Sequence, residues 1–116
     1  MEIRRIEPGK RMCQATVHGN TAYLAGQVAD DTSEDVAGQT RQVLGRIDAL
    51  LAEAGTDKSR ILSALVVLAD MSTFAEMNAV WDSWVAPGNP PSRATIEAKL
   101  AAPQYRIEIV VTAAVT

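Results

Sequence analysis

Two charged residues stand where charge can do chemistry. Arg93 follows Asn89-Pro90-Pro91-Ser92 at the start of a segment that reads as a strand. A guanidinium there can grip a carboxylate with two parallel hydrogen bonds; the plainer alternative is a surface arginine or a salt bridge. Glu108 is flanked by Arg106-Ile107 and Ile109-Val110-Val111. Burial in so apolar a strand favours the protonated form of a carboxyl and poises it for acid–base work near neutral pH. On a solvated face it is an ordinary glutamate. Asn78 lies among apolar neighbours and offers its amide to a loop or a ligand, or serves as a structural amide.

The sulfur and imidazole groups point elsewhere. Cys13 and His18 sit five residues apart in one expected strand, so they face opposite ways and do not make a nucleophilic pair. Cys13 shares its face with Ala15 and Val17 and is expected to be a small core residue. His18, beside Gly19-Asn20, is expected in a solvated turn. One cysteine and one histidine leave no intrachain disulfide, no cysteine-based zinc site and no histidine cluster, so no metal site is expected.

The elements that hold these residues follow from periodicity. Residues 2–7 and 12–18 read as strands, and Ala22 to Gly26 returns after the His18-Gly19-Asn20-Thr21 turn. Asp30 to Ser33 supplies cap candidates, and Thr32 with Asp35 resembles a capping box. Behind them Val36, Thr40, Val43, Ile47, Leu50, Leu51 and Ala54 mark an amphipathic helix of about five turns, stopped by Gly55. Residues 60–69 are apolar on both faces, as in a strand buried on both sides. Asp70 to Thr73 opens a second helix with the stripe Phe74, Met77, Trp81, Trp84 and Val85. Both tryptophans are therefore expected in the core rather than as a stacking platform for bases. Residues 92–99 and 105–115 are the last strands.

The order β-β-β-α-β-α-β-β defines an α+β sandwich, with both helices on one face of the sheet. In the last strand Ile107, Ile109, Val111 and Ala113 are assigned to the helix face. Ala94, Ile96 and Ala98 are assigned to it in the strand before. That puts Arg93, Thr95 and Glu97 with Glu108, Val110 and Thr112 on the opposite face. A mixed outer face and a doubly apolar strand call for a second cover, and another subunit supplies it.

The 116 residues make a single domain spanning 1–116. Net charge is −3, and basic residues do not cluster beyond Arg4-Arg5 and Lys10-Arg11, so no nucleic-acid partner is expected. No run near 18 apolar residues exists, so no membrane partner is expected either. The first twelve residues lack the apolar core of a signal peptide, which points to the cytoplasm.

Five segments, in this order and spacing, resemble the Rid (YjgF) family over nearly the whole chain. They are Tyr23-Leu24-Ala25-Gly26-Gln27-Val28, then Gln39-Thr40-Arg41-Gln42-Val43-Leu44 with Ala54-Gly55, and Phe74-Ala75-Glu76-Met77-Asn78. After these come Pro90-Pro91-Ser92-Arg93-Ala94-Thr95-Ile96-Glu97 and Arg106-Ile107-Glu108-Ile109. The resemblance implies a chorismate-mutase-like fold and a homotrimer with clefts between subunits. It also implies hydrolysis of reactive 2-imino and 2-enamino acids, such as 2-aminoacrylate, to 2-keto acids and ammonia, with no cofactor. On that resemblance Arg93 binds the substrate carboxylate and Glu108 positions water or a proton. Asn78, Gly26 and the backbone of Thr95 complete the pocket. Two positions depart from the family pattern. Met12 stands where a tyrosine is common, and Ala25 where a serine often precedes the loop glycine. Both remove hydroxyls, which predicts a preference for imines with larger aliphatic side chains. Two other functions compete: a non-catalytic trimer that binds a small carboxylate or a partner, and an endoribonuclease. The acidic balance and single histidine argue against the last.

Overall fold

The periodic segment behind Asp35 forms the long helix that organises the sheet. In the computed structural model, which describes residues 1–116, three short strands come first: β1 (Ile3–Ile6), β2 (Ala15–His18) and β3 (Thr21–Leu24). Helix α1 (Val36–Ala54), β4 (Ile61–Leu68), α2 (Phe74–Trp84), β5 (Ser92–Glu97) and β6 (Ile107–Ala114) follow. The strands form one mixed sheet in the order β1-β2-β3-β6-β4-β5. Only β4 and β5 run parallel, joined through α2. The expected α+β order is therefore the observed one.

All seven residues of the expected α1 stripe are buried, with Leu44 beside them. Gly55 ends the helix at φ 87°, a left-handed conformation that a side chain would strain. The start differs from the expected capping box. Asp35 is the cap, accepting from the Gly38 N–H at 2.9 Å, while Asp31 accepts from Ser33 in its own turn. Thr32 is left out because the Asp31 turn intervenes. The second helix also starts late. Met71–Thr73 is a 3₁₀ turn capped by Asp70, and α2 proper begins at Phe74. Hydrogen bonds from Ser33, Ser59 and Ser72 hold the carboxyls of Asp31, Asp57 and Asp70 below their ordinary range.

The sheet register corrects one expectation that matters for the site. Val111, Ile109 and Ile107 do face the helices and are buried. They lie opposite Ala64, Val66 and Leu68 of β4, which in turn lie opposite Arg93, Thr95 and Glu97 of β5. Residues side by side in a sheet share a face. Arg93, Thr95 and Glu97 therefore lie on the helix side, and Ala94 and Ile96 on the outer side with Leu65, Val67, Val110 and Glu108. Polarity misled here because β5 is an edge strand. Its helix-side neighbours are the α2 stripe of Phe74, Met77 and Trp81 and, before that helix, the turn at Met71, whose N–H Glu97 accepts. Its apolar residues join an outer patch, where Ile96 remains 45% exposed.

Two further residues differ from expectation. Cys13 precedes β2 and is half-buried, with its Sγ 3.3 Å from Thr16 Oγ1 rather than in the core. Trp81 is core, but Trp84 is only half-buried. Its Nε1–H donates to Asp48 Oδ2 at 3.0 Å, and Lys58 Nζ lies 5.2 Å from its ring centre. An indole with those polar neighbours belongs at a rim. Along β4, the outer side is only partly covered, with Leu62 exposed and Leu65 half-buried. No helix is long and apolar enough to cross a membrane.

Candidate functional site

The predicted site residues fall into two groups on opposite sides of the sheet. Arg93, Thr95 and Asn78 form the first. Arg93 leaves β5 toward α2, where its Nη1–H points at Met77 Sδ, 3.9 Å away. Its guanidinium carbon lies 5.0 Å from the Trp81 ring centre and 5.9 Å from that of Phe74. It is half-buried and makes no ion pair within the chain, whose one salt bridge joins Arg46 to Asp30. Two residues along the same face, the Thr95 hydroxyl is buried without a hydrogen-bond partner. Asn78 is half-buried and flanks the α2 stripe, one turn from Phe74 and from Trp81.

Glu108 and Gly26 form the second group, with Ala25 next to Gly26 in the chain and Met12 sharing a cavity with Gly26. The segment after β3 is pinned by two backbone bonds, Ala25 N–H to Gln14 O and Gln27 N–H to Ile109 O, each 2.9 Å. Gly26 between them makes no such bond. The Glu108 carboxylate lies against it so closely that a Cβ built on Gly26 would stand 1.9 Å from Glu108 Oε2. Only glycine permits that approach. Glu108 is half-buried, not sealed, and has no hydrogen-bond or ion-pair partner in the chain. Met12 is 50% exposed and so lies outside the core. It lines a cavity of about 250 Å³ with Gly26 and Val28, and a larger, more open one of about 510 Å³ with Lys10 and Arg11.

Arg93 and Glu108 cannot meet on one chain. They are three residues apart along the strands and two strands across, roughly 14 Å between Cα atoms at about 3.3 Å per residue and 4.8 Å per strand, with side chains on opposite faces.

Some supporting residues carried weak signals in the sequence. Gln27, 2% exposed, donates from Nε2 to Ala25 O and Gln14 Oε1, and accepts from Arg46 Nε at 3.0 Å. It fixes the loop that presents Gly26. Gln39, fully buried on α1, donates to Gln104 O and accepts from the Arg106 N–H, anchoring the approach to β6 and Glu108. A glutamine at an apolar helical position is the one sign that could have marked Gln39. Nothing in the sequence ties Gln27 to Arg46.

This is an α+β sandwich that keeps an unpaired arginine on one side of its sheet and an unpaired glutamate packed on a glycine on the other. The family profile described as Endoribonuclease L-PSP matches residues 2–115. A RutC family protein from Haemophilus ducreyi is 52% identical over 113 residues, 97% of each chain. The RutC family protein YoaB of Escherichia coli is 43% identical over 99% of this chain and 100% of its own. A crystal structure of a YjgF-family protein from Neisseria meningitidis superposes with a TM-score of 0.97 at 44% identity, covering 100% of this chain and 97% of that one. The chain belongs to the Rid family, the group also named YjgF, RutC and L-PSP.

Proposed function

We propose that the protein hydrolyses reactive 2-imino and 2-enamino acids to 2-keto acids and ammonia, in sites completed between the subunits of a homotrimer. The observation that carries this reading is that Arg93 and Glu108 are both half-buried, both unpaired, and on opposite faces of one sheet. A charge held out of water without a partner is a cost that a ligand or a second subunit relieves. The fork of Arg93 suits a carboxylate. Glu108 from a neighbouring subunit then orients a water toward the imine carbon, or moves the proton that converts enamine to imine. Water adds to C=N, and collapse of the resulting aminol releases ammonia and leaves the ketone. Positioning and electrostatics suffice, because the substrate is already reactive.

The endoribonuclease reading is weaker. The only histidine, His18, is level with Ala114 through Thr21, six residues along β6 from Glu108. That is roughly 20 Å at about 3.4 Å per residue.

The test uses an amino-acid oxidase to generate imines in situ, with ammonia release followed in the presence and absence of the protein. Acceleration is expected, greatest for leucine- or methionine-type imines, because Met12 and Ala25 offer the pocket no hydroxyl. Light scattering is expected to give about three times 12.4 kDa. Saturable 2-keto-acid binding with no faster ammonia release would make the protein a binder, and a monomer at micromolar concentration would remove the shared site.

Gly26→Ala probes the glutamate without touching it. The added methyl meets the end of a flexible side chain rather than backbone, so Glu108 is expected to swing away while the fold holds. Misplacing a reacting group by about 1 Å can cost about 10²-fold. A turnover drop of roughly tenfold to a hundredfold is expected, with an unchanged far-ultraviolet circular dichroism spectrum. Native turnover in this variant would show that the carboxylate need not sit against residue 26.

A further inference from the structure

Arginine at the edge of a sheet has a long, flexible stem, yet carboxylate capture needs its fork to face one way. Something must hold it, and on this chain no carboxylate does: the one ion pair lies elsewhere. What surrounds the guanidinium is one stripe of α2. Phe74, Met77 and Trp81 are spaced by three and four residues, so they stack along one side of the helix. The guanidinium carbon lies within 6 Å of both ring centres, 5.0 Å for Trp81 and 5.9 Å for Phe74. At such distances the ring quadrupole attracts the cation.

We propose that Phe74 and Trp81 are positioning residues for Arg93: an aromatic cradle that aims the guanidinium while leaving its hydrogen-bonding edge for the ligand. The inference rests on the reading of Arg93 as the carboxylate binder. The chemistry separates two ways of holding an arginine. A carboxylate partner orients the fork by occupying it. Aromatic rings attract the cation through their faces and need not take the in-plane N–H groups that a substrate carboxylate requires. Met77 Sδ, 3.9 Å from Nη1, is a weak acceptor that a carboxylate readily outcompetes. The two rings differ in what they risk. Trp81 is 6% exposed and packs against Trp84 with ring centres 5.4 Å apart, so it also serves the core. Phe74 is 39% exposed and can change without opening the core.

The chain allows a clean test, because Phe74 is its only phenylalanine. Replacing it during synthesis with 4-fluorophenylalanine, then with more heavily fluorinated analogues, drains electron density from the ring while nearly keeping its shape. The probe is 2-ketobutyrate, with Kd measured calorimetrically on the assembled protein beside the melting temperature of each form. The Kd is expected to rise stepwise with fluorination at constant melting temperature. Phe74→Leu should bind about two- to fivefold more weakly. It should raise KM while leaving kcat close to native, since the held fork serves binding before chemistry. Trp81→Leu should lose about tenfold or more, and Trp81→Phe should recover part of it. Arg93→Ala separates the two ideas. If it binds 2-ketobutyrate as the native chain does, the underlying reading of Arg93 fails. If it loses binding while neither the fluorinated series nor Phe74→Leu changes Kd, the reading of Arg93 stands and the cradle is wrong.

Discussion

Glu108→Gln is expected to bind 2-keto acids as the native protein does and to lose turnover by about 10²- to 10⁴-fold, the range for removing a general acid or base. The substitution keeps the size and planarity of the side chain, so the contact with Gly26 survives. What it removes is the charge and the ability to pass a proton. Glu108 has no arginine or lysine partner in the chain that its loss would strand, so stability should change little. Keto-acid affinity measured beside ammonia release separates the two roles. Loss of both together would make Glu108 a structural residue, and native turnover would remove it from the mechanism.

Arg93→Ala is expected to weaken carboxylate binding by roughly tenfold to more than a hundredfold, from the 1.5–3 kcal/mol typical of a hydrogen bond to a charged group. The mass of the proposed trimer should not change. Arg93→Lys should fail almost as badly. An ammonium is a point charge with no planar fork, and it stacks less well on the rings of Trp81 and Phe74. Turnover of a 2-imino acid at the native rate by Arg93→Ala would overturn the assignment.

The fold was legible where one physical signal acted alone. Helix α1 shows a 3.6-residue period with Gly55 at its end, and every stripe residue named from that period is buried. Strand β6 alternates without exception, and its inner residues were assigned correctly. Legibility failed at β5, where two signals conflict. Ala94 and Ile96 look inward by polarity, yet register with β4 puts them outside. A strand's face is set by its neighbours, and those contacts lie far away in sequence. The error reached the site, because it put Arg93 and Glu108 on one face. The residue types of the site were readable from local motifs. Its division between two faces was not, since no local pattern encodes which strand lies beside which.

A chain that carries one half of its chemistry on each side of a sheet owns two half-sites and no whole one. On the proposed assembly, a subunit lacking Arg93 and a subunit lacking Glu108 are each inert among their own kind. Where the two meet in one ring, the intact arginine of one faces the intact glutamate of the other. Two dead alleles then restore a working site that neither encodes alone, and the heritable unit of activity is the contact rather than the chain.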